Sequence, residues 1–201
     1  MEDKMAADLS LEKAAKVGGF GLLIMTAVYL IADLLVFQKI VDLKNAASTI
    51  SNIKSNEALF RIGICCPVIV ILCDVVVAWA LYIFLKPINK SISLLAAWFR
   101  LVYSVVFGVV LINYLNILQL LGGADYLSAV DSSQLQADVM LSLHKFSDGW
   151  AMGLVYFGLH IILLGYLTLK SNYIPKMLGI ILVLAGLGYL VHNFGKFLAP
   201  S

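Results

Sequence analysis

The chain is 201 residues long, 62% hydrophobic and only 13% charged, whereas soluble domains run at about 45–50% apolar and about 25% charged. That balance, with a mean hydropathy of +0.96, excludes an ordinary soluble domain, and at roughly 20 residues per crossing the length holds one helical bundle. A formal net charge of +2, with no run of Lys or Arg, excludes nucleic acid as a partner.

Residues 1–17 carry both charge signs and read as an N-terminal cytoplasmic segment, and residues 18–198 as a single transmembrane bundle domain. The apolar stretch 18–37 exceeds a signal-peptide core of about 7–15 residues, so it predicts a retained first membrane helix, with Asp33 near its far end. Between Gln38 and Glu57 the chain turns polar, and Ile50 and Ile53 among Asn and Ser predict a short surface helix.

The second membrane helix is expected from Ala58 to Leu85, ended by Pro87, since proline and its predecessor disfavour helix. Pro67 inside it predicts a kink near Gly63. At helical spacing Gly63, Pro67, Asp74, Ala78, Leu81 and Leu85 share one stripe, which should face protein. Cys65, Cys66 and Cys73 lie in this segment without metal-ligand spacing and read as small buried hydrophobes.

After the short connection 87–90, a third helix over 91–121 carries Arg100. The tight turn forces an antiparallel hairpin, and reflecting the chain about Pro87 sets Asp74 opposite Arg100, which predicts a salt bridge. The polar connection 122–146 contains a capping-box pattern, Asp131 with Gln134 or Ser133 with Gln136, and reads as an interfacial amphipathic helix. A fourth membrane helix is expected over 147–169, with Gly149 and Gly153 at a spacing that admits close helix approach, and a fifth over 176–193. The fold class is therefore all-α: a polytopic transmembrane helix bundle of about five crossings plus a short interfacial helix. The larger share of the lysines in the connections lies on the N-terminal side, which predicts a cytoplasmic N-terminus.

Counted inward at about 1.5 Å per residue, Asp74, Arg100 and His160 all reach roughly the same depth, about 14 to 18 Å. Tyr103, Ser104 and Tyr156 share the faces of Arg100 and His160, so Asp74, Arg100, His160, Tyr103 and Tyr156 form the candidate ligand-binding layer. Such residues inside a membrane are usually paired or line a wet cavity. One reading is a site for a small polar ligand or lipid headgroup; the other is a buried pair that fixes helix register.

A second polar group comprises Asp33, Arg61, Asn113, Asn116, His144, Asp148, His192 and Asn193, with Asp33 and Arg61 expected to pair. His144 and Asp148 stand one turn apart, but interfacial polar residues are common and no metal is assigned. Haem ligation by His160 and His192 fails on their difference in depth, and zinc-protease, serine-nucleophile and Cys-x-x-Cys-His patterns are absent, so neither cofactor nor catalytic residue is expected.

Several short patterns recur in order: Thr49 with Asn52-Ile53, Leu59-Phe60-Arg61, Leu81-Tyr82 before Lys86-Pro87, Phe99-Arg100, Phe157-Gly158 with His160, Gly165-Tyr166-Leu167, Ser171 with Pro175, and Leu178-Gly179 through Gly188-Tyr189-Leu190. In these the chain resembles a bacterial multi-pass membrane family catalogued as domain of unknown function 4386. The resemblance implies a helical bundle of one crossing more than is counted here, and transfers no activity. The expected partners are the lipid bilayer, a small polar ligand or lipid, and a membrane protein or second copy. In the alternative to a binding or transport-like module, a structural or accessory subunit, glycine faces around Gly149, Gly153, Gly186 and Gly188 would pack on that partner.

Overall fold

Side-chain caps mark where the helices begin. Ser10, Asn45 and Asn89 accept hydrogen bonds from the backbone N–H groups of Lys13, Ser48 and Ile92 at 3.3, 2.9 and 3.0 Å, each satisfying a donor that the first helical turn leaves free. The structure is a computed structural model and describes residues 10–123 and 130–199. Most of the N-terminal segment and the middle of the 122–131 connection lie outside the described residues.

Helix α1 (Leu11–Ala32) passes through a π-helical turn (Asp33–Phe37) into the short α2 (Gln38–Ile40). The expected surface helix is α3 (Ala46–Ser55), tied back to the end of α2 by Thr49. Its hydroxyl accepts from the Asp42 N–H and donates to the Asp42 carbonyl, both at 2.8 Å. Helix α4 (Glu57–Leu85) runs through Pro67 as one helix. The expected inward stripe is observed: Gly63, Pro67, Asp74, Ala78 and Leu85 are buried and Leu81 half-buried. The cysteines depart from expectation, because Cys65 is exposed and Cys66 and Cys73 are only half-buried, being off that stripe.

The α4–α5 hairpin is antiparallel and tight, with Ser93 donating to the Tyr82 carbonyl across it at 2.9 Å. The third apolar helix is interrupted at Leu111, giving α5 (Lys90–Val110) and α6 (Ile112–Leu121). The largest difference from expectation is α7 (Ser132–Lys170), a single helix of 39 residues that absorbs both the interfacial helix and the fourth membrane helix. Asp131 caps it as foreseen, accepting from the Ser133 and Gln134 N–H groups at 2.8 Å. Gln134 does not complete the box; its amide turns to Asp138 at 3.1 Å. No Pro or Gly stands between Ser132 and Asp148 to end the helix, and Val139 and Leu143, 0% and 3% exposed, continue its buried face.

Helix α8 (Lys176–Leu198) extends beyond the expected Asn193. It packs on α7 through glycines. A Cβ at Gly165 would lie 2.8 Å from the Gly179 carbonyl oxygen, and one at Gly186 2.8 Å from that of Gly158, so the backbones meet directly. Helix α1 packs on α4, α5 on both α4 and α7, and α8 on α7. Five stretches, Leu11–Ile40, Glu57–Leu85, Lys90–Leu121, Ser132–Lys170 and Lys176–Leu198, are long and apolar enough to cross a membrane. Large apolar side chains such as Leu23, Leu72, Val105 and Val191 point outward from them, as a hydrocarbon solvent permits. No strand occurs among the described residues.

Candidate functional site

Asp74 lies about eleven residues in from the end of α4, Arg100 about ten from the start of α5, and His160 about ten from the end of α7, so at about 1.5 Å per residue they share one layer. The hairpin sets α4 beside α5, and α5 packs on α7, which brings the layer together around Arg100. Arg100 Nη2 stands 2.6 Å from Asp74 Oδ1, with the two side chains 2% and 0% exposed. The expected salt bridge is present.

The His160 ring has a defined tautomer. Its Nδ1 is 2.8 Å from the Ala96 carbonyl oxygen, which only accepts, so Nδ1 carries the proton. Nε2 is then an acceptor and takes the N–H of Arg100 Nη1 at 3.2 Å. His160 therefore holds the guanidinium from behind. The Phe157 ring centre lies 5.8 Å from Arg100 Cζ, within cation–π range, and Met25 Sδ accepts from Nη2 at 3.8 Å.

Two groups in this layer are left over. The Arg100–Asp74 contact is close enough for strong charge attraction but off the line of an aligned hydrogen bond. Among the described residues neither carboxylate oxygen of Asp74 nor Arg100 Nε has a hydrogen-bond partner. Buried polar groups in folded proteins are nearly always satisfied, so these atoms mark an unfinished network.

Asp74 and Arg100 are among the residues that line a groove of about 410 Å³ between α1 and α8. Met25 and Tyr29 of α1, Tyr103 of α5, Trp150 and Phe157 of α7 and Tyr189 of α8 wall it. A smaller cavity of about 150 Å³, reaching Asp33 and Pro67, shares Tyr29 and Trp150 with it. Tyr103 stacks among Phe157, Trp150 and Phe107, with ring centres 4.9, 5.6 and 6.2 Å away, and edges the groove. Tyr156 does not join: it is half-buried, lines neither cavity and makes no hydrogen bond to the layer. His160 supports the layer without lining the groove. Ser104 donates to the Arg100 carbonyl one turn back, at 2.9 Å, and its side chain also stands beside the Asp74 carboxylate.

Sequence reasoning missed the contribution of α1. Met25 and Tyr29 stand one turn apart on a helix whose membrane part is apolar all round, so no stripe singled them out. The expected Asp33–Arg61 pair does not form. Arg61 pairs with Glu57 on its own helix at 2.7 Å, and Asp33 accepts from Gln38 at 2.8 Å, because a neighbour one turn away is reached with less ordering than one across a connection. Asp148 pairs with Lys196 at 3.0 Å, and Lys196 also donates to Ser147, linking α7 to α8. Among the described residues no three His, Cys, Asp or Glu side chains converge as a metal site would require. Gly149 and Gly153 face Val110, Val106 and Tyr103 of α5, and Gly186 faces α7, so these glycines serve packing within the chain, while Gly188 faces open space.

A family model described as "Domain of unknown function (DUF4386)" matches residues 17–201. An uncharacterized protein of Archaeoglobus fulgidus is 32% identical over 129 residues, a match that covers 64% of this chain and 64% of that protein. No solved structure matches the chain.

Proposed function

Since the chain belongs to this family of unknown function, we propose a role from the site itself: a multi-pass membrane protein, of a bacterial cytoplasmic membrane with its N-terminus in the cytoplasm, whose groove binds a small polar ligand or lipid headgroup. The observation that carries this reading is a buried ion pair whose two residues line the groove, with a carboxylate oxygen and a guanidinium N–H unspent. A pair that only set helix register would favour a closed, fully paired layer, because each unsatisfied buried polar group costs about 1–3 kcal/mol. In the binding reading Arg100 and Asp74 present the donor and acceptor, His160 holds Arg100 in position, and Tyr103 forms part of the wall.

The alternative, an accessory subunit that packs on a partner through glycine faces, has less support. Gly149, Gly153 and Gly186 already touch neighbouring helices of the same chain, which leaves Gly188. Native mass spectrometry of the detergent-purified protein separates the two. A defined bound mass, absent from Arg100→Gln protein that remains folded, supports the binding site. A protomer or homo-oligomer without any adduct refutes it and favours the subunit.

A further inference from the structure

The charge balance of the layer narrows the class of ligand, an inference that rests on the binding reading above. The ionised groups on the groove wall are Asp74 and Arg100, which cancel. His160 adds no charge in the tautomer that accepts from Arg100. Asp33, on the smaller cavity, is already bonded by Gln38. A charged headgroup would therefore bring an uncompensated charge to a depth where charge is costly.

The unspent atoms state the complementary requirement. An Asp74 carboxylate oxygen needs a donor, and Arg100 Nε–H needs an acceptor. An alcohol hydroxyl is both at once. The remaining wall is mostly aliphatic and aromatic, which suits a hydrocarbon chain; Thr26 spends its hydroxyl on the Leu22 carbonyl at 2.9 Å, and Tyr29 and Trp150 are shared with the smaller cavity. Access is lateral. Helix α1 is packed on α4 and α8 on α7, and between them Tyr29, Leu30 and Tyr189 at the groove are 41%, 47% and 37% exposed.

We infer that the groove between α1 and α8 takes an uncharged, hydroxyl-bearing amphiphile from the bilayer, its hydroxyl between Asp74 and Arg100 and its chain beside Trp150. Trp150 is a built-in reporter, since the other two tryptophans, Trp79 and Trp98, point outward at 50% and 57% exposure. The test uses Trp79→Phe, Trp98→Phe protein in phosphatidylcholine vesicles, titrated with a monoacylglycerol, an ionised fatty acid and an alkyl trimethylammonium that carry the same brominated chain. Trp150 quenching is read.

The expected result is saturable quenching by the monoacylglycerol, half-saturating at least about tenfold lower (~1.4 kcal/mol) than either charged probe. Free glycerol, the headgroup without a chain, should not compete. Saturable quenching should also vanish in the folded Asp74→Asn, Arg100→Gln double variant. Equal or tighter saturation by a charged probe overturns the uncharged class and leaves the site standing, and displacement by glycerol overturns the need for a chain. Saturation that persists in the double variant overturns the polar anchor. No saturable quenching by any probe overturns the binding site itself.

Discussion

Removing either member of the Asp74–Arg100 pair should destabilise the bundle far more than removing both. The side chains are 0% and 2% exposed and their charges 2.6 Å apart, so a single substitution strands a buried charge, at a cost of about 3–5 kcal/mol. Arg100→Gln should fall at the upper end. It strips Asp74 of its partner and also takes the donor from His160 Nε2. Asp74→Asn should fall at the lower end, because Arg100 keeps His160 and the Phe157 ring, a cation–π contact being worth about 0.5–2 kcal/mol. Two unrelated losses of this size would sum to about 8 kcal/mol, whereas the Asp74→Asn, Arg100→Gln protein carries no stranded charge and should lose only about 1–2 kcal/mol. Reversible unfolding in mixed detergent–dodecyl sulfate micelles, followed by circular dichroism, measures all four corners of the cycle. If the double variant loses the sum of the singles to within about 0.5 kcal/mol, the sites are energetically independent and the ion-pair argument is refuted.

Three further outcomes follow from the geometry. His160→Ala should cost about 2–3 kcal/mol by leaving Arg100 Nη1 without its acceptor, with partial recovery in His160→Gln, read by the same unfolding assay; equal losses in the two variants would contradict the hydrogen-bond role. Gly165→Ala should destabilise by about 1–3 kcal/mol, because its Cβ would meet the Gly179 carbonyl at 2.8 Å and the Val183 N at 2.9 Å. Gly188→Ala, facing open space, should stay within about 0.5 kcal/mol of the parent. Asp131→Ala should speed amide hydrogen exchange at Ser133 and Gln134, the donors that its side chain accepts. The Ser133 hydroxyl and the Gln134 and Ser133 N–H groups hold the Asp131 carboxyl below its usual value. The cap is then fully formed above the ordinary carboxylate range and lost as pH falls through the lowered folded-state value, so the protection of the two amides, their exchange rate relative to the intrinsic rate at each pH, should fall in acid in the parent but not in Asp131→Ala.

The parts of the molecule legible from the chain alone are those measured along a helix axis. Pro87 and Asn89 mark the α4–α5 turn, Asp131 and Pro175 mark helix starts, and the rise per residue then fixes the depths of Asp74, Arg100 and His160 without any knowledge of neighbours. Apolar length likewise settles which five stretches suit a bilayer. Nothing in α1 could say which of its sides faces the groove, because a helix apolar all round carries no stripe to mark a buried face, and so Met25, Tyr29 and the gap toward Tyr189 were invisible. Tyr103 and Tyr156 looked equivalent for the same reason, and only the packing of α5 on α7 turned one into the groove wall. Local competition decided Arg61 for Glu57 and Asp33 for Gln38, and the continuous buried face of Val139 and Leu143 joined two expected helices into α7. Depth is a one-dimensional property that each helix carries in its own sequence. Azimuth and neighbour are properties of pairs of helices, which come into being only when the bundle packs.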